Sequence, residues 1–255
     1  NYFSAAEPSL NKRAVWTARG RVLGGARSIN SMVYMRGHPD NYDGWAEDFD
    51  LPAWRFENCL PYFRAGEASD RGADAWRGDS GPLQVTKSHH QSPLIDAFLE
   101  AGDETGQGRS DDLNGYKPEG LSRLDATIGN GQRCSAAVAH LKPARGRQNL
   151  TVLTGAAVRD LKITGNRADK VSYTHRGGPR TVQVRREIIL SGGAINSPQI
   201  LLRSGIGPED HLQDAGIKTQ VKLAGVGRNL QDEDLPSTIL TSRSRRLPIQ
   251  QEHQR

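Results

Sequence analysis

The chain of 255 residues is long enough for one large domain or two small ones. It is 35% hydrophobic and 25% charged and has no run of 18 apolar residues, which is typical of a soluble globular protein and excludes a membrane-spanning helix. Its first residues lack the basic and then apolar pattern of a signal peptide. Cys59 and Cys134 are isolated from each other and predict neither a zinc site nor a disulfide framework, so we expect a cytoplasmic protein.

The net charge of +5 does not point to a nucleic-acid partner. Residues 243–255 hold four arginines and one glutamate, so this segment alone carries +3. The rest of the chain mixes both signs and shows neither an RNP-like aromatic pattern nor a helix-turn-helix pattern. A solvated surface with a basic tail explains the charge, and no nucleic-acid partner is expected.

The first half of the chain predicts two helices and a long loop. Residues 67–82, "EASDRGADAWRGDSGP", are rich in glycine and aspartate and indicate a loop. A helix is expected from Pro93, with Ser92 as its N-cap and an apolar face that includes Leu99. A second helix is expected in "SAAVAHL", with Ser135 as its cap.

Beyond Asn149 the pattern changes to strands. β-branched runs in "NLTVLTGAAVRDLKI", "KVSYTHRG" and "TVQVRREIILSGGA" are separated by turn residues. Residues 188–190 predict a short buried strand that leads into Gly192 and Gly193, and a helix is expected from Ser197. A strand, a glycine turn and a helix in this order would form an αβ unit of the dinucleotide-binding kind.

The stretch "GRVLGGARSINSMVYMRG", residues 20–37, is the main candidate for a binding site. Gly24 and Gly25 allow backbone conformations and close approaches that a Cβ atom would prevent, so their N–H groups could face an anion or a planar ring. Asn30 can donate and accept hydrogen bonds, as ring heteroatoms require. An ordinary glycine turn explains two adjacent glycines equally well, and both alternatives stay open on these residues alone.

Six motifs in one order resolve this ambiguity. The stretch above, together with "YDGW" and "NCLPYF", forms the first motif. The other five are "DDLNGY", "GQRCSAA", "RQNLTVLTGAAV", "GGAINSPQILLRSGIGP" and "GVGRNLQD". Together they resemble the glucose–methanol–choline (GMC) family of flavin oxidoreductases, most closely its choline-dehydrogenase-like branch, over roughly residues 1–232. The resemblance implies that the chain is an internal fragment of an FAD-dependent enzyme.

The resemblance also implies which residues would bind FAD. In the family the first signature wraps the flavin, Val158 matches the valine that meets the adenine end, and Gly193 matches a close-approach glycine. Packing of Val158 in a core is the alternative for that residue. The cofactor-binding residues implied in this way are Gly24, Gly25, Asn30, Ser31, Met32, Val33, Val158 and Gly193.

Several positions depart from the family pattern. Ala26 and Arg27 stand where two small hydroxyl residues are common, and Arg27 would either pair with a phosphate or crowd the turn. Ile29 stands where some members have a histidine linked to the flavin, so FAD is expected to bind non-covalently. Glu233 replaces the usual histidine, and residues 233–255 form a divergent tail that suggests a truncated or frame-shifted end.

The catalytic groups of the family are not found in this sequence. The GxGxxG fingerprint is missing, and none of the seven histidines matches a family catalytic position. His89 and His90 do not predict a metal site, because adjacent side chains point apart and no third ligand is near. No catalytic residue and no metal ligand is therefore assigned.

The resemblance implies an α/β fold in which part of a Rossmann-like FAD-binding domain is interleaved with part of an antiparallel-sheet substrate domain. Residues 1–35 and 150–232 would belong to the FAD side and residues 36–149 to the substrate side. The expected parent reaction is oxidation of a primary alcohol to an aldehyde with hydride transfer to flavin. A truncated, inactive chain without tight FAD binding and a basic binding module remain alternatives, and the alcohol, the oxidant and the oligomeric state stay open.

Overall fold

A computed structural model describes residues 2–230 of the chain. The chain divides into two compact units, one up to Thr151 and one from Val152 onward, and each is described by itself. Both contain helices and strands, so the predicted mixed α/β class is confirmed, while the interleaving of two domains stays a prediction. The divergent tail at residues 233–255 lies outside the described residues.

The first unit is built from short elements joined by long turns. Its helices are α1 (Pro39–Asp48), α2 (Phe56–Gly66), α3 (Pro93–Glu104) and α4 (Lys142–Ala144), with a π-helix at Ala137–Leu141 directly before α4 and 3-10 turns at Pro8–Leu10, Gly25–Ser28 and Pro52–Trp54. Its strands are β1 (Tyr2–Phe3), β2 (Trp16–Thr17), β3 (Glu67–Ser69), β4 (Leu83–Val85), β5 (Ile128–Gly129) and β6 (Gln132–Arg133). The pairs β1–β2 and β5–β6 are antiparallel, and β3–β4 is parallel.

Both predicted helices are present, although their details differ. Helix α3 begins at Pro93, as expected, since the first turn of a helix does not need the N–H that proline lacks. Ser92 is in the N-cap position, but its side chain makes no capping hydrogen bond. Leu99 is buried, whereas Leu94 and Phe98 of the same face are exposed. The second helix contains a π-turn, and the Ser135 hydroxyl accepts a hydrogen bond from Val138 N (3.4 Å), so this serine caps it as predicted.

The prediction of a loop at residues 67–82 is wrong for the first three of these residues. Glu67–Ser69 forms strand β3, which pairs with β4, and the side chain of Glu67 is completely buried. The polar composition suggested solvent exposure, but the charges of this segment are satisfied inside the unit. The adjacent apolar core consists of Tyr34, Leu83, Val85, Cys134 and Ala139.

The second unit contains a three-stranded antiparallel sheet in the order β7–β8–β9. The strands are β7 (Ala156–Thr164), β8 (Arg167–His175) and β9 (Gly178–Gln183), and they confirm the three predicted β-branched runs. Helix α5 (Gly193–Arg203) packs against β7, and β10 (Ile206–Gly207), α6 (Glu209–Asp214) and β11 (Val221–Lys222) follow. The β10–β11 pair is parallel.

The short strand predicted at residues 188–190 is wrong. These residues form no strand, and Ile189 is 79% exposed, because no partner strand lies beside them in the part of the chain that the structure describes. A run of three apolar residues has no periodicity that distinguishes a buried strand from an exposed segment. Helix α5 begins at Gly193, four residues before the expected start, so only the glycine turn and the helix of the predicted αβ unit are present.

Candidate functional site

The glycine pair in residues 20–37 forms a tight turn with one packed side and one open side. Gly24 (φ 92°) and Gly25 (φ 59°) both have left-handed backbones, and Gly25 N donates a hydrogen bond to Val22 O (2.9 Å). A Cβ atom on Gly24 would lie 2.5 Å from Ser28 Oγ and 3.2 Å from Ala137 N, so packing requires glycine there. A Cβ atom on Gly25 would meet nothing within 4 Å, which leaves open space for an external group.

Asn30 is exposed, and its carboxamide has one defined orientation. Its Oδ1 accepts hydrogen bonds from Arg133 Nη1 (2.9 Å) and from Met32 N (3.2 Å). Its Nδ2 donates to no group in residues 2–230, so the amide hydrogens are available to an external acceptor. Arg133 Nη1 also donates to Arg27 O (3.2 Å), which links the same guanidinium to the end of the 3-10 turn.

The segment after Asn30 is held against residues 125–127. Met32 has a left-handed backbone (φ 65°), which is unusual for a residue other than glycine, and its carbonyl accepts from Thr127 N (2.8 Å). Val33 forms an antiparallel bridge with Ala126, and Tyr34 N donates to Asp125 O (2.8 Å). Alternate side chains therefore face opposite sides, so Tyr34 is buried while Val33 is exposed.

A network of buried charges lies next to this segment. Glu67 Oε1 accepts from Arg36 Nη2 (2.5 Å) and Arg77 Nε (2.9 Å), and also from Gly78 N (3.0 Å). Arg77 Nη1 also contacts Asp125 Oδ2 (2.8 Å), and Arg36 N donates to Asn114 Oδ1 (2.9 Å). These contacts connect Arg36, which follows the exposed segment, to the interior of the unit.

The charges in this network compensate one another. Burial disfavours the charged guanidinium of Arg77, but its hydrogen bonds to Glu67 and Asp125 outweigh burial and raise the pKa of Arg77 above its usual value. Burial raises the pKa of Tyr34 in the same region. Removing one member of such a group leaves a buried charge without its partner and typically costs about 3–5 kcal/mol.

Six of the predicted residues lie on one continuous segment of the first unit. They are Gly24, Gly25, Asn30, Ser31, Met32 and Val33. Arg133, which orients Asn30, was missed as a site residue, although it lies within "GQRCSAA", one of the motifs that supported the resemblance. Its side chain comes from 103 residues further along the chain, so the contact is visible only in the folded unit.

The other two predicted residues lie in the second unit. Val158 is in β7 opposite Tyr173, and its side chain is 40% exposed rather than enclosed in a core. Gly193 is the first residue of α5, with a left-handed backbone (φ 83°) and open space where a Cβ atom would lie. Both positions leave room for an external group within their own unit.

The residues of the first segment fit a flavin cofactor in their chemistry. An open glycine turn, an outward carboxamide and exposed apolar side chains are the groups that a planar, partly apolar ring with polar edges requires. Among residues 2–230, no cluster of His, Cys, Asp and Glu is placed to hold a metal ion. No helix in the same residues is long and apolar enough to cross a membrane.

The fold of this chain is similar to the folds of known oxidoreductases. A pyridoxine 4-oxidase from Mesorbium loti superposes with a TM-score of 0.82 at 38% identity, covering 87% of this chain and 44% of that one. An FAD-dependent oxidoreductase from Chaetomium thermophilum superposes with a TM-score of 0.81 at 28% identity, covering 88% and 41%. The chain belongs to the GMC oxidoreductase family, whose model matches residues 4–234.

The curated relatives agree with this assignment. The chain is 46% identical over 233 residues to an oxygen-dependent choline dehydrogenase from Paraburkholderia phymatum, covering 91% of this chain. It spans about two fifths (41%) of the length of such relatives. The predicted family and its choline-dehydrogenase-like branch are confirmed, and FAD is confirmed as the cofactor at the level of the family. The individual cofactor-binding residues stay predictions.

Proposed function

We propose that this chain forms part of the FAD site of an oxidoreductase that converts a primary alcohol into an aldehyde. The observation that carries the proposal is the exposed segment with Gly25 and Asn30, in which open space and free amide hydrogens occur together. A turn with only a structural role has no need for a carboxamide that is held with its donors outward. The relatives named choline dehydrogenases make choline the first alcohol to test.

In this proposal FAD supplies the acceptor for the hydride that leaves the alcohol carbon. Gly25 lets the backbone approach the flavin, and Asn30 donates a hydrogen bond to a ring acceptor. Met32 and Val33 contact the ring with backbone and apolar side-chain atoms. In the second unit, Val158 would meet the adenine end and Gly193 would allow close approach at the nucleotide.

We further propose that FAD is bound non-covalently, because Ile29 has no nucleophilic atom that could bond to the ring. The 255 residues alone are proposed to show no alcohol oxidation, because the GxGxxG fingerprint and the catalytic histidine of the family are not among them. Turnover of choline by the purified chain would contradict this part of the proposal.

Reconstitution with FAD tests the cofactor proposal directly. The purified chain is mixed with FAD, separated from free cofactor and examined for visible flavin absorbance and for quenching of flavin fluorescence. Retained flavin that is weakened by Asn30→Ala supports the proposal. Absence of retained flavin would instead favour the truncated, inactive chain, and equal retention by wild type and Asn30→Ala would contradict the role of Asn30.

The division into FAD and substrate sides is a separate proposal. Residues 1–35 and 150–232 are proposed to face FAD, and residues 36–149 to belong to the substrate side. Hydrogen exchange with and without FAD should show protection in the first two ranges, whereas protection restricted to residues 36–149 would contradict this division.

A further inference from the structure

We propose that Arg133 is a positioning residue that holds the side chain of Asn30 in the orientation that FAD requires. This inference rests on the proposed function, because it takes the outward amide hydrogens of Asn30 as the groups that meet the cofactor. Arg133 itself is assigned no contact with FAD. Its effect passes through the carboxamide oxygen of Asn30.

The hydrogen bonds of Asn30 leave only one orientation for its carboxamide. Arg133 Nη1 and Met32 N are both donors, so the atom between them must be the oxygen, and the NH₂ group must point away from them. Without Arg133 only the weaker 3.2 Å contact with Met32 N remains, and the side chain could rotate. Rotation would replace two outward donors with an acceptor.

The position of Arg133 is set by the β5–β6 hairpin. Asn130 (φ 51°) and Gly131 (φ 70°) both have left-handed backbones, as a two-residue hairpin turn of the primed type requires. Residues beside the hairpin also hold the segment, because Thr127 N donates to Met32 O and Thr127 O accepts from Cys134 N (2.8 Å each). The hairpin therefore positions the side chain at Asn30, and Thr127 directly before it positions the backbone at Met32.

The charge of Arg133 is directed at neutral oxygen atoms. Within residues 2–230 its guanidinium forms no ion pair with a carboxylate, and its hydrogen bonds go to Asn30 Oδ1 and Arg27 O. A charged donor on Oδ1 polarises the carboxamide and strengthens the NH₂ group as a donor on the opposite side. An arginine at this position therefore orients Asn30 and also increases its hydrogen-bonding strength.

A double-mutant cycle on FAD binding tests the inference. We expect Arg133→Met to weaken FAD affinity by about tenfold, the size typical of a charge-assisted hydrogen bond, and Arg133→Lys to recover most of it. In the Asn30→Ala background, Arg133→Met should cause no further loss, because the group through which it acts is gone. An equal loss in both backgrounds would overturn the inference, since it would show a role independent of Asn30.

A readout on the cofactor-free chain separates this inference from the proposed function. The side-chain amide resonances of Asn30 in the ¹⁵N-labelled chain should move toward the chemical shifts of an unrestrained asparagine in Arg133→Met and stay near their wild-type positions in Arg133→Lys. The control is Arg109→Met, which removes an exposed arginine paired with Asp103 and should leave these resonances unchanged. Unchanged resonances in Arg133→Met would overturn the inference even if FAD binds, whereas failure of the wild type to bind FAD contradicts only the proposed function.

Discussion

The interactions that stabilise the first unit of this chain differ from those that stabilise the second. The first unit contains buried ion pairs between distant residues, as between Arg36 and Glu67, beside an apolar core that includes Val85. The second unit depends on the backbone hydrogen bonds of β7, β8 and β9, which follow one another in the chain, and its buried apolar residues are Leu161 and Leu212 among those described. The difference shows that one chain can combine a unit with ion pairs between residues distant in sequence and a unit built from consecutive antiparallel strands.

The predicted cofactor-binding residues are therefore held in different ways within their own units. Asn114 holds Tyr34 across 80 residues of sequence, and the charges around it fix the segment that follows Met32. Val158 and Gly193 belong instead to a unit with a small described core. Substitutions in the two units should therefore change stability by different amounts.

Glu67→Ala should strongly destabilise the first unit. The substitution leaves Arg36 and Arg77 buried without their shared carboxylate, which should lower the free energy of unfolding by about 3–5 kcal/mol. All four tryptophans of the chain, at positions 16, 45, 54 and 76, lie in this unit, so tryptophan fluorescence during urea unfolding reports on it alone. Asp103→Ala, which removes an exposed ion pair, should change the midpoint little. Equal midpoints for Glu67→Ala and wild type would show that the network does not stabilise the unit.

Leu212→Ala should destabilise the second unit. Leu212 is completely buried, and we expect a loss of about 2–3 kcal/mol, at the lower end for this substitution because the small surrounding core can collapse around the cavity. Hydrogen exchange of amides in β7 to β9 and α6 measures the change. Leu223→Ala, at a half-exposed leucine, is the matched control. Equal exchange rates of these amides in Leu212→Ala and wild type would contradict this prediction.

The first unit should also lose stability in acid through Asp111. A hydrogen bond from Lys87 (2.8 Å) lowers the pKa of Asp111 below its usual 3.8, so the native state holds this proton less tightly than the unfolded chain. The resulting stabilisation is present above the unfolded pKa and is lost as the pH falls through the lower folded pKa. Because Asp111 is exposed, the effect should be small, and Asp111→Asn should reduce the acid dependence of the tryptophan-detected midpoint. A steeper acid dependence in Asp111→Asn would contradict this sign.

Local patterns in the sequence predicted a large part of the fold. Pro93 marks the start of α3, and the β-branched runs predict β7, β8 and β9, because the conformational preferences of proline and of β-branched residues act locally in the chain. The same approach failed at residues 188–190, where burial depends on a partner strand that periodicity does not reveal. It also failed at Glu67, whose burial is favourable only because Arg36 and Arg77 are brought to it.

The family, the cofactor class and the segment that carries the candidate site follow from the amino-acid sequence, because the order and spacing of six motifs are properties of the chain alone. The orientation of Asn30 depends on the folded unit, because Arg133 reaches it from the β5–β6 hairpin. Folding also decides that Gly24 packs against other residues while Gly25 faces open space, since both glycines have the same freedom of backbone conformation. Hydrogen bonds and close packing between distant residues depend on where the chain places them, and this information is not contained in a short stretch of sequence.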